Sequence, residues 1–309
     1  MTSEVDDNGY DKNNEKVKAN GAWITNDFLQ EVISKHEKND EIRVIDSNVS
    51  AAVGVGDNYL SILYRTKIEL IRKDGGPVEN LQLMIKGAPT SKFLLEMMEN
   101  MGIFKKELAI YNECLTFMKQ ILKESMPEEK DFISAESYEC SRPNTIVMED
   151  LQTAGYKMAD RRKQLDFEHC VVVLKSLARF HALSVRVVQE KPDLIQRVSD
   201  DFYHESKRAE MEPYLERTWP VWTEVLESSE KCSRFAPYIR NITKYSFDKM
   251  LEVVKPTQNS ISVLCHGDSW INNFLFKYDE DGKVLHAKLV DFQLARYDLI
   301  FLPLKKNFS

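Results

Sequence analysis

Apolar positions along this chain follow two rhythms, and the switch between them divides it. Near the front, Phe28, Leu29, Val32 and Ile33 recur at helical spacing and predict a helix over 24–33, with Thr25 or Asn26 as its cap. Beyond it the period shortens to two. Residues 58–70 are rich in β-branched and aromatic side chains, 81–86 alternate, and 73–77 (Lys-Asp-Gly-Gly-Pro) supply the turn between two strands. Leu81, Leu83 and Ile85 then share one face, and Gln82, Met84 and Lys86 the other. A long helix is predicted over 102–124, with Phe104, Leu108, Tyr111, Leu115 and Met118 as its stripe. Residues 145–148 form a short apolar strand that breaks at Glu149-Asp150-Leu151. Helical patterns then cover 164–189 and 202–254, where Pro213, Pro220 and Pro237 are expected to divide the second stretch. A hairpin, 274–278 and 285–290, closes around Asp281-Gly282. The order predicts an α+β protein, with a β-rich front half, a hinge near residue 150 and a helical back half carrying a hairpin.

Composition excludes more than it assigns. The chain has 309 residues, 43% hydrophobic and 29% charged, enough for one large domain or two lobes. A net charge of −7 argues against a nucleic-acid footprint. Residues 1–20 are polar, which predicts a disordered leader rather than a secretory signal. No apolar run approaches a membrane span of about 18 residues. The five cysteines are scattered, with no C-x-x-C pair, which predicts reduced thiols and a cytoplasmic location.

Candidate chemistry concentrates in one late segment. Leu264-Cys-His-Gly-Asp-Ser-Trp-Ile-Asn-Asn-Phe-Leu-Phe276, followed by Val290-Asp-Phe-Gln293, puts His266, Asp268, Asn273 and Asp291 in the order of a phosphotransferase centre. Asp268 precedes Asn273 by five residues, as Asp precedes Asn in the kinase loop H-R-D-x-x-x-x-N. That spacing alone is common; the whole set on one short segment is not. Moving a γ-phosphoryl group needs positioning and charge neutralisation more than covalent help. Asp268 suits the carboxylate that accepts the proton of the attacking hydroxyl. Asn273 and Asp291 suit the ligands of Mg²⁺, which takes few protein oxygens beside phosphates and water. His266 is expected to brace the loop, since Asp268 already provides a base. The bland alternative is a surface hairpin with incidental acids.

Three upstream features fit the same chemistry, each ambiguous alone. Residues 53–61 (Val-Gly-Val-Gly-Asp-Asn-Tyr-Leu-Ser) make a turn in which Gly54 and Gly56, with Asn58 nearby, would let backbone amides approach phosphates. Turn glycines are common, however, and a third glycine of G-x-G-x-x-G is missing. Lys86 ends its strand facing a possible cleft, although a lone lysine at a strand end is usually solvated. Glu107 lies on the apolar face of the 102–124 helix, where a carboxylate is costly unless paired. Lys86 is its natural partner, giving the strand-lysine to helix-glutamate pair of kinases. A glutamate at the stripe's edge reaching water is the plain alternative. The strand 146–151 would offer backbone groups, at Glu149 and Leu151, to an adenine ring.

Other conspicuous residues read as structural. His181 falls at helical spacing with Leu174, Leu177 and Val185, as a buried, satisfied histidine would. Tyr214, Trp219, Trp222, Phe235 and Tyr238 are expected in the core rather than walling an acceptor pocket.

Assembled, these residues resemble the ecdysteroid kinase-like family, also called CHK kinase-like proteins, within the aminoglycoside and choline kinase-type phosphotransferases. The resemblance runs from about residue 22 to 297. It is carried by Gly56-Asp-Asn-Tyr-Leu-Ser61, Ile85-Lys86, Glu107-Leu-Ala-Ile-Tyr111, Val147-Met-Glu-Asp-Leu151, Leu177-Ala-Arg-Phe-His-Ala-Leu-Ser184, Cys265-His-Gly-Asp-Ser-Trp-Ile-Asn-Asn273 and Val290-Asp-Phe-Gln-Leu-Ala-Arg-Tyr297. It implies a protein-kinase-like two-lobed fold, with an N-lobe over 21–150 and a C-lobe over 151–309. It also implies ATP with Mg²⁺ and a small-molecule alcohol acceptor, a steroid such as an ecdysteroid being the namesake. By position, Asp268 is the base, Asn273 and Asp291 the metal ligands, and Lys86 the phosphate lysine paired with Glu107. One departure stands out. Where the family continues into a long helical tail, Tyr297 runs into Asp298-Leu299 and the chain stops at Ser309. The expectation is an incomplete C-lobe, and a second reading follows: a truncated, non-catalytic pseudoenzyme or nucleotide-binding module. A protein kinase proper would carry an Ala-Pro-Glu-type segment after Asp291, which is absent.

Overall fold

Thr25 caps the first helix through its side chain, which accepts from the Phe28 N–H at 3.2 Å. Helix α1 (Asn26–Glu37) buries Leu29, Val32 and Ile33. The computed structural model describes residues 20–52, 61–100, 102–199, 204–255 and 261–299. It packs α1 on an antiparallel sheet of β1 (Arg43–Ala51), β2 (Ile62–Ile71), β3 (Glu79–Gly87), β4 (Ser137–Tyr138) and β5 (Thr145–Glu149). The strand order is β1-β2-β3-β5-β4. Tyr64, Ile68 and Leu70 of β2 and Leu83 and Ile85 of β3 join the α1 stripe in one core cluster. Each such side chain contributes about 1.5–3 kcal/mol by leaving water. Alternation sends Met84 and Lys86 to the opposite face, as predicted.

Strand β1 carries no clear apolar alternation and was not predicted. It is an edge strand, mostly exposed or half-buried, with a register shift between Val44 and Asp46. After α2 (Lys92–Asn100), the helix predicted over 102–124 is present with one irregularity. It runs as α3 (Ile103–Ala109), a π-helical turn over Ile110–Leu115, and α4 (Thr116–Ser125).

Three further short strands occur besides the hairpin, of which only the first joins its sheet. β6 (Lys157–Met158) precedes α5 (Phe167–Glu190) and α6 (Pro192–Val198). Asp166 caps α5, accepting from the His169 N–H at 2.9 Å. Helices α7 (Arg208–Glu227), α8 (Ala236–Ile242) and α9 (Ser246–Val254) follow, then β7 (Ser262–Cys265). The predicted hairpin is β8 (Phe274–Tyr278) and β9 (Val284–Leu289), turned at Gly282 with φ 81°, and β10 (Arg296–Leu299) comes last. β6, β8 and β9 form a sheet in that order, and Ser176 of α5 ties to it by donating to the Ala287 carbonyl at 2.6 Å.

The described residues fall into two compact units, one within Met1–Val198 and His266–Ala295, the other within Ser199–Cys265 and Arg296–Ser309. In the second, β7 pairs with β10, and Arg208 anchors the helices through Glu205, Glu212 and Asp248. Two expectations fail here. Pro213 and Pro220 lie inside α7 instead of dividing it; each merely removes one amide donor from the helix ladder. Tyr214, Trp222, Phe235 and Tyr238 are exposed rather than core, since α7 buries Leu215 and Thr223 instead. Among the described residues, no helix is long and apolar enough to cross a membrane.

Candidate active site

A cavity of about 510 Å³ lies in the first unit, beneath β2 and β3 and beside the segment carrying Asp291. Lys86 projects into it from β3. Its Nζ lies 2.9 Å from Glu107 Oε1, 2.8 Å from Oε2 and 2.9 Å from Asp291 Oδ1. Lys86 is 4% exposed and Glu107 1%, so this is a buried cluster rather than a surface pair. The alternatives of a solvated lysine and an edge-of-stripe glutamate are both ruled out by that geometry.

Burial opposes the Lys86 charge, but the two carboxylates outweigh it and hold the ammonium well above its ordinary range. Burial pushes Glu107 up to about 7, against the pull of Lys86 and with help from the Asp291 charge. Once Glu107 is ionised, one ammonium is shared by two carboxylates and a negative charge is left in excess. Such a cluster favours an incoming cation.

Asp291 is held in place from several sides. Its φ is 64°, left-handed and rare for a residue with a side chain. The surroundings impose that conformation. The preceding amide, Val290 N–H, donates to the Asn273 carbonyl at 3.1 Å. The backbone of Asp291 bonds the Tyr111 hydroxyl, and that of Phe292 bonds the Glu107 carboxylate. Phe292 is fully buried, edge-on to Tyr111 at 5.4 Å and against Phe180 and His266. The π-turn of the 103–125 helix is where Tyr111 sits, and such turns often mark functional positions.

The loop before β8 is equally committed. Asn273 Nδ2 donates to the Asp268 backbone oxygen and to its Oδ2, both at 2.9 Å. That orients the Asp268 carboxylate and leaves Oδ1 as the Asn273 atom suited to a cation. His266, 1% exposed, bonds Val290 O through Nε2 at 2.9 Å, while its Nδ1 accepts from the Asp268 N–H at 3.4 Å. Those partners assign the neutral Nε2–H tautomer. Burial keeps its pKa below the ordinary imidazole value, outweighing the Val290 carbonyl, Asp291 and Asp268. His266 thus spans the two halves of the site as a brace. His181 faces it from α5, half-buried rather than enclosed, and Leu174 of its predicted stripe is exposed.

Gly267, between His266 and Asp268, has φ 81°, and a Cβ there would stand 1.8 Å from the Leu294 carbonyl oxygen. Backbone meets backbone at that point.

At the end of β5, Glu149, Asp150, Leu151 and Gln152 line the cavity. Gly54, Gly56 and Asn58 lie outside the described residues. Sequence reasoning missed Arg65, whose Nε donates to the buried Asp150 Oδ2 at 2.5 Å across the cavity wall. The available signal was that Arg65 shares the Leu63 face of β2, opposite Tyr64, Thr66 and Ile68. Trp270, two residues after Asp268, is 46% exposed and also lines the cavity.

The donor set suits Mg²⁺ shared with phosphates. Among the described residues no three His, Cys, Asp or Glu side chains form a closed metal cage, and the acids present are few. The structure thus brings a buried lysine against two carboxylates and ties Asp268 to Asn273 on the loop before β8. The sequence matches the ecdysteroid kinase-like family over residues 55–304, and the chain belongs to that family. Membership points to a small-molecule kinase-like phosphotransferase. No curated protein matches the chain.

Proposed function

We propose that this protein transfers the γ-phosphoryl group of ATP to the hydroxyl of a small alcohol. The observation that carries this reading is the Lys86 ammonium held within 2.9 Å of both Glu107 and Asp291. Lys86 would bind nucleotide phosphates, with Glu107 fixing its direction from the helix. Asp268, aimed by Asn273 Nδ2, would accept the acceptor's proton as the hydroxyl attacks. Asn273 Oδ1 and Asp291 would hold Mg²⁺, which when bound neutralises charge on the phosphates. The ends of β5 would take the adenine, and the glycine turn at 53–61, including Gly54, Gly56 and Asn58, the phosphates.

In this reading the α1-backed sheet serves as the N-lobe of a protein-kinase-like fold, and the segment after residue 150 as its C-lobe. The exposed Trp270 beside Asp268 favours an acceptor with an apolar body, a steroid alcohol such as an ecdysteroid among them.

Mg-dependent phosphorylation of an alcohol panel, followed by mass spectrometry, tests the proposal. Wild type should yield a phosphomonoester and Asp268→Ala should not. A folded Asp268→Ala protein with wild-type turnover would sink it. ATP binding without product from any acceptor would leave a nucleotide-binding module instead.

A further inference from the structure

The place where β5 leaves the sheet breaks the ladder rule. Glu149 N–H donates to the Glu136 carbonyl at 2.9 Å. Antiparallel residues bonded in this way normally exchange both bonds. Here the return bond goes elsewhere, because Glu136 N–H donates to Glu149 Oε2 at 3.2 Å. The Glu149 side chain has replaced its own carbonyl, which has no ladder partner among the described residues. Lys288 of β9, nearly buried, stands 3.6 Å from the same Oε2.

The adjoining backbone is already committed. Asp150 N–H donates to Gln82 O at 3.3 Å. Asp150 O accepts from the Thr153 hydroxyl at 2.6 Å. Leu151 O accepts from Tyr156 N–H at 3.0 Å. What this edge of the cavity retains is one acceptor, Glu149 C=O, and one donor, Leu151 N–H. An acceptor beside a donor complements adenine, which offers an exocyclic N–H and a ring nitrogen lone pair. It clashes with hypoxanthine, which presents a carbonyl and a ring N–H at the same two places.

We infer that the Glu149 carboxylate, positioned by Lys288, selects the base: by capturing the Glu136 N–H it frees the Glu149 carbonyl for the adenine amino group. This rests on the nucleotide site proposed above and adds a side-chain determinant to it. Glu149 and Lys288 act as positioning residues, since neither side chain need touch the base.

The test is calorimetric binding of Mg-ADP and Mg-IDP to the full chain, with melting temperatures recorded alongside. Wild type should prefer ADP by at least about tenfold, the cost of one mismatched buried hydrogen bond. In Glu149→Ala the Glu136 N–H returns to the carbonyl; ADP should weaken about tenfold with IDP unchanged, erasing the preference. Glu149→Gln keeps an oxygen acceptor and should retain most of the preference. Lys288→Met, which loosens the carboxylate, should fall between. A wild-type ADP/IDP ratio in both Glu149→Ala and Lys288→Met overturns the inference. So does equal weakening of both nucleotides, which marks a purely structural role. If Glu149→Ala fails to fold, Lys288→Met against Glu149→Gln decides. Wild type that binds both nucleotides equally defeats this inference alone, whereas wild type that binds neither defeats the nucleotide site itself.

Discussion

Strand β3 and helix α7 carry apolar side chains of similar weight, yet only one put them where its pattern pointed. β3 is flanked on both edges, by β2 and β5, so its two faces are defined by the sheet. Leu83 and Ile85 therefore go to the core and Met84 and Lys86 to the cavity. α7 has no such frame. Its aromatic residues Tyr214 and Trp222 are exposed, while Leu215 and Thr223 are buried. The difference teaches that period two inside a sheet specifies a destination, whereas a helical stripe specifies only a direction. Which direction is used depends on a partner surface the stripe does not encode.

Substitutions can sharpen or break that contrast. The largest effect is expected on the loop before β8, where Asp268 is held by Asn273. Asp268→Asn should lower phosphorylation by about 10²–10⁴-fold, read as kcat with the melting temperature unchanged. On the core face of β3, Leu83→Ala should cost about 2–5 kcal/mol in chemical denaturation, through a cavity in the cluster that includes α1. If Leu83→Ala proved neutral, the sheet would not be the frame supposed here.

The polar cluster beneath β3 should show itself in pH dependence, with two opposing slopes. His266 has a folded pKa below 6.5, so the unfolded chain takes up the proton first. Its contribution is complete above 6.5 and is lost as pH falls. Glu107 is raised from 4.5 to about 7, so the folded chain keeps its proton longer, and stability from that source is lost as pH rises across this window. Melting temperatures against pH should therefore rise more steeply in Glu107→Gln and flatten in His266→Gln. Identical slopes in all three proteins would contradict the assignment. The smallest effect is expected on α7, where Trp222→Ala should change stability by no more than about 0.5 kcal/mol. A loss of several kcal/mol there would mean that the aromatic face is packed after all.

Much of this was legible from residues. The Lys86–Glu107 contact was legible because a carboxylate on an apolar face must have a partner, whereas Asp268, Asn273 and Asp291 were picked out only by their order and spacing on one segment. The Arg65–Asp150 pair was not, because it joins residues far apart in sequence across a sheet register that neither local pattern encodes. β1 escaped because an edge strand with one half-solvated face shows little alternation. The prolines misled because a helix packed elsewhere tolerates the loss of one amide bond. The ladder exchange at Glu149 was beyond any pattern, since it depends on which of two oxygens on one residue lies nearer a single N–H.

Gly267 gives the site a mechanical property. With the Leu294 carbonyl where a side chain would begin, the loop bearing Asp268 and the turn behind Asp291 lie back to back with no slack. Neither can swing away and leave the other poised. In the proposed mechanism this contact ties the position of the base, Asp268, to that of the metal ligand, Asp291. One missing methyl group makes that contact possible, and restoring it would jam the pair rather than loosen it.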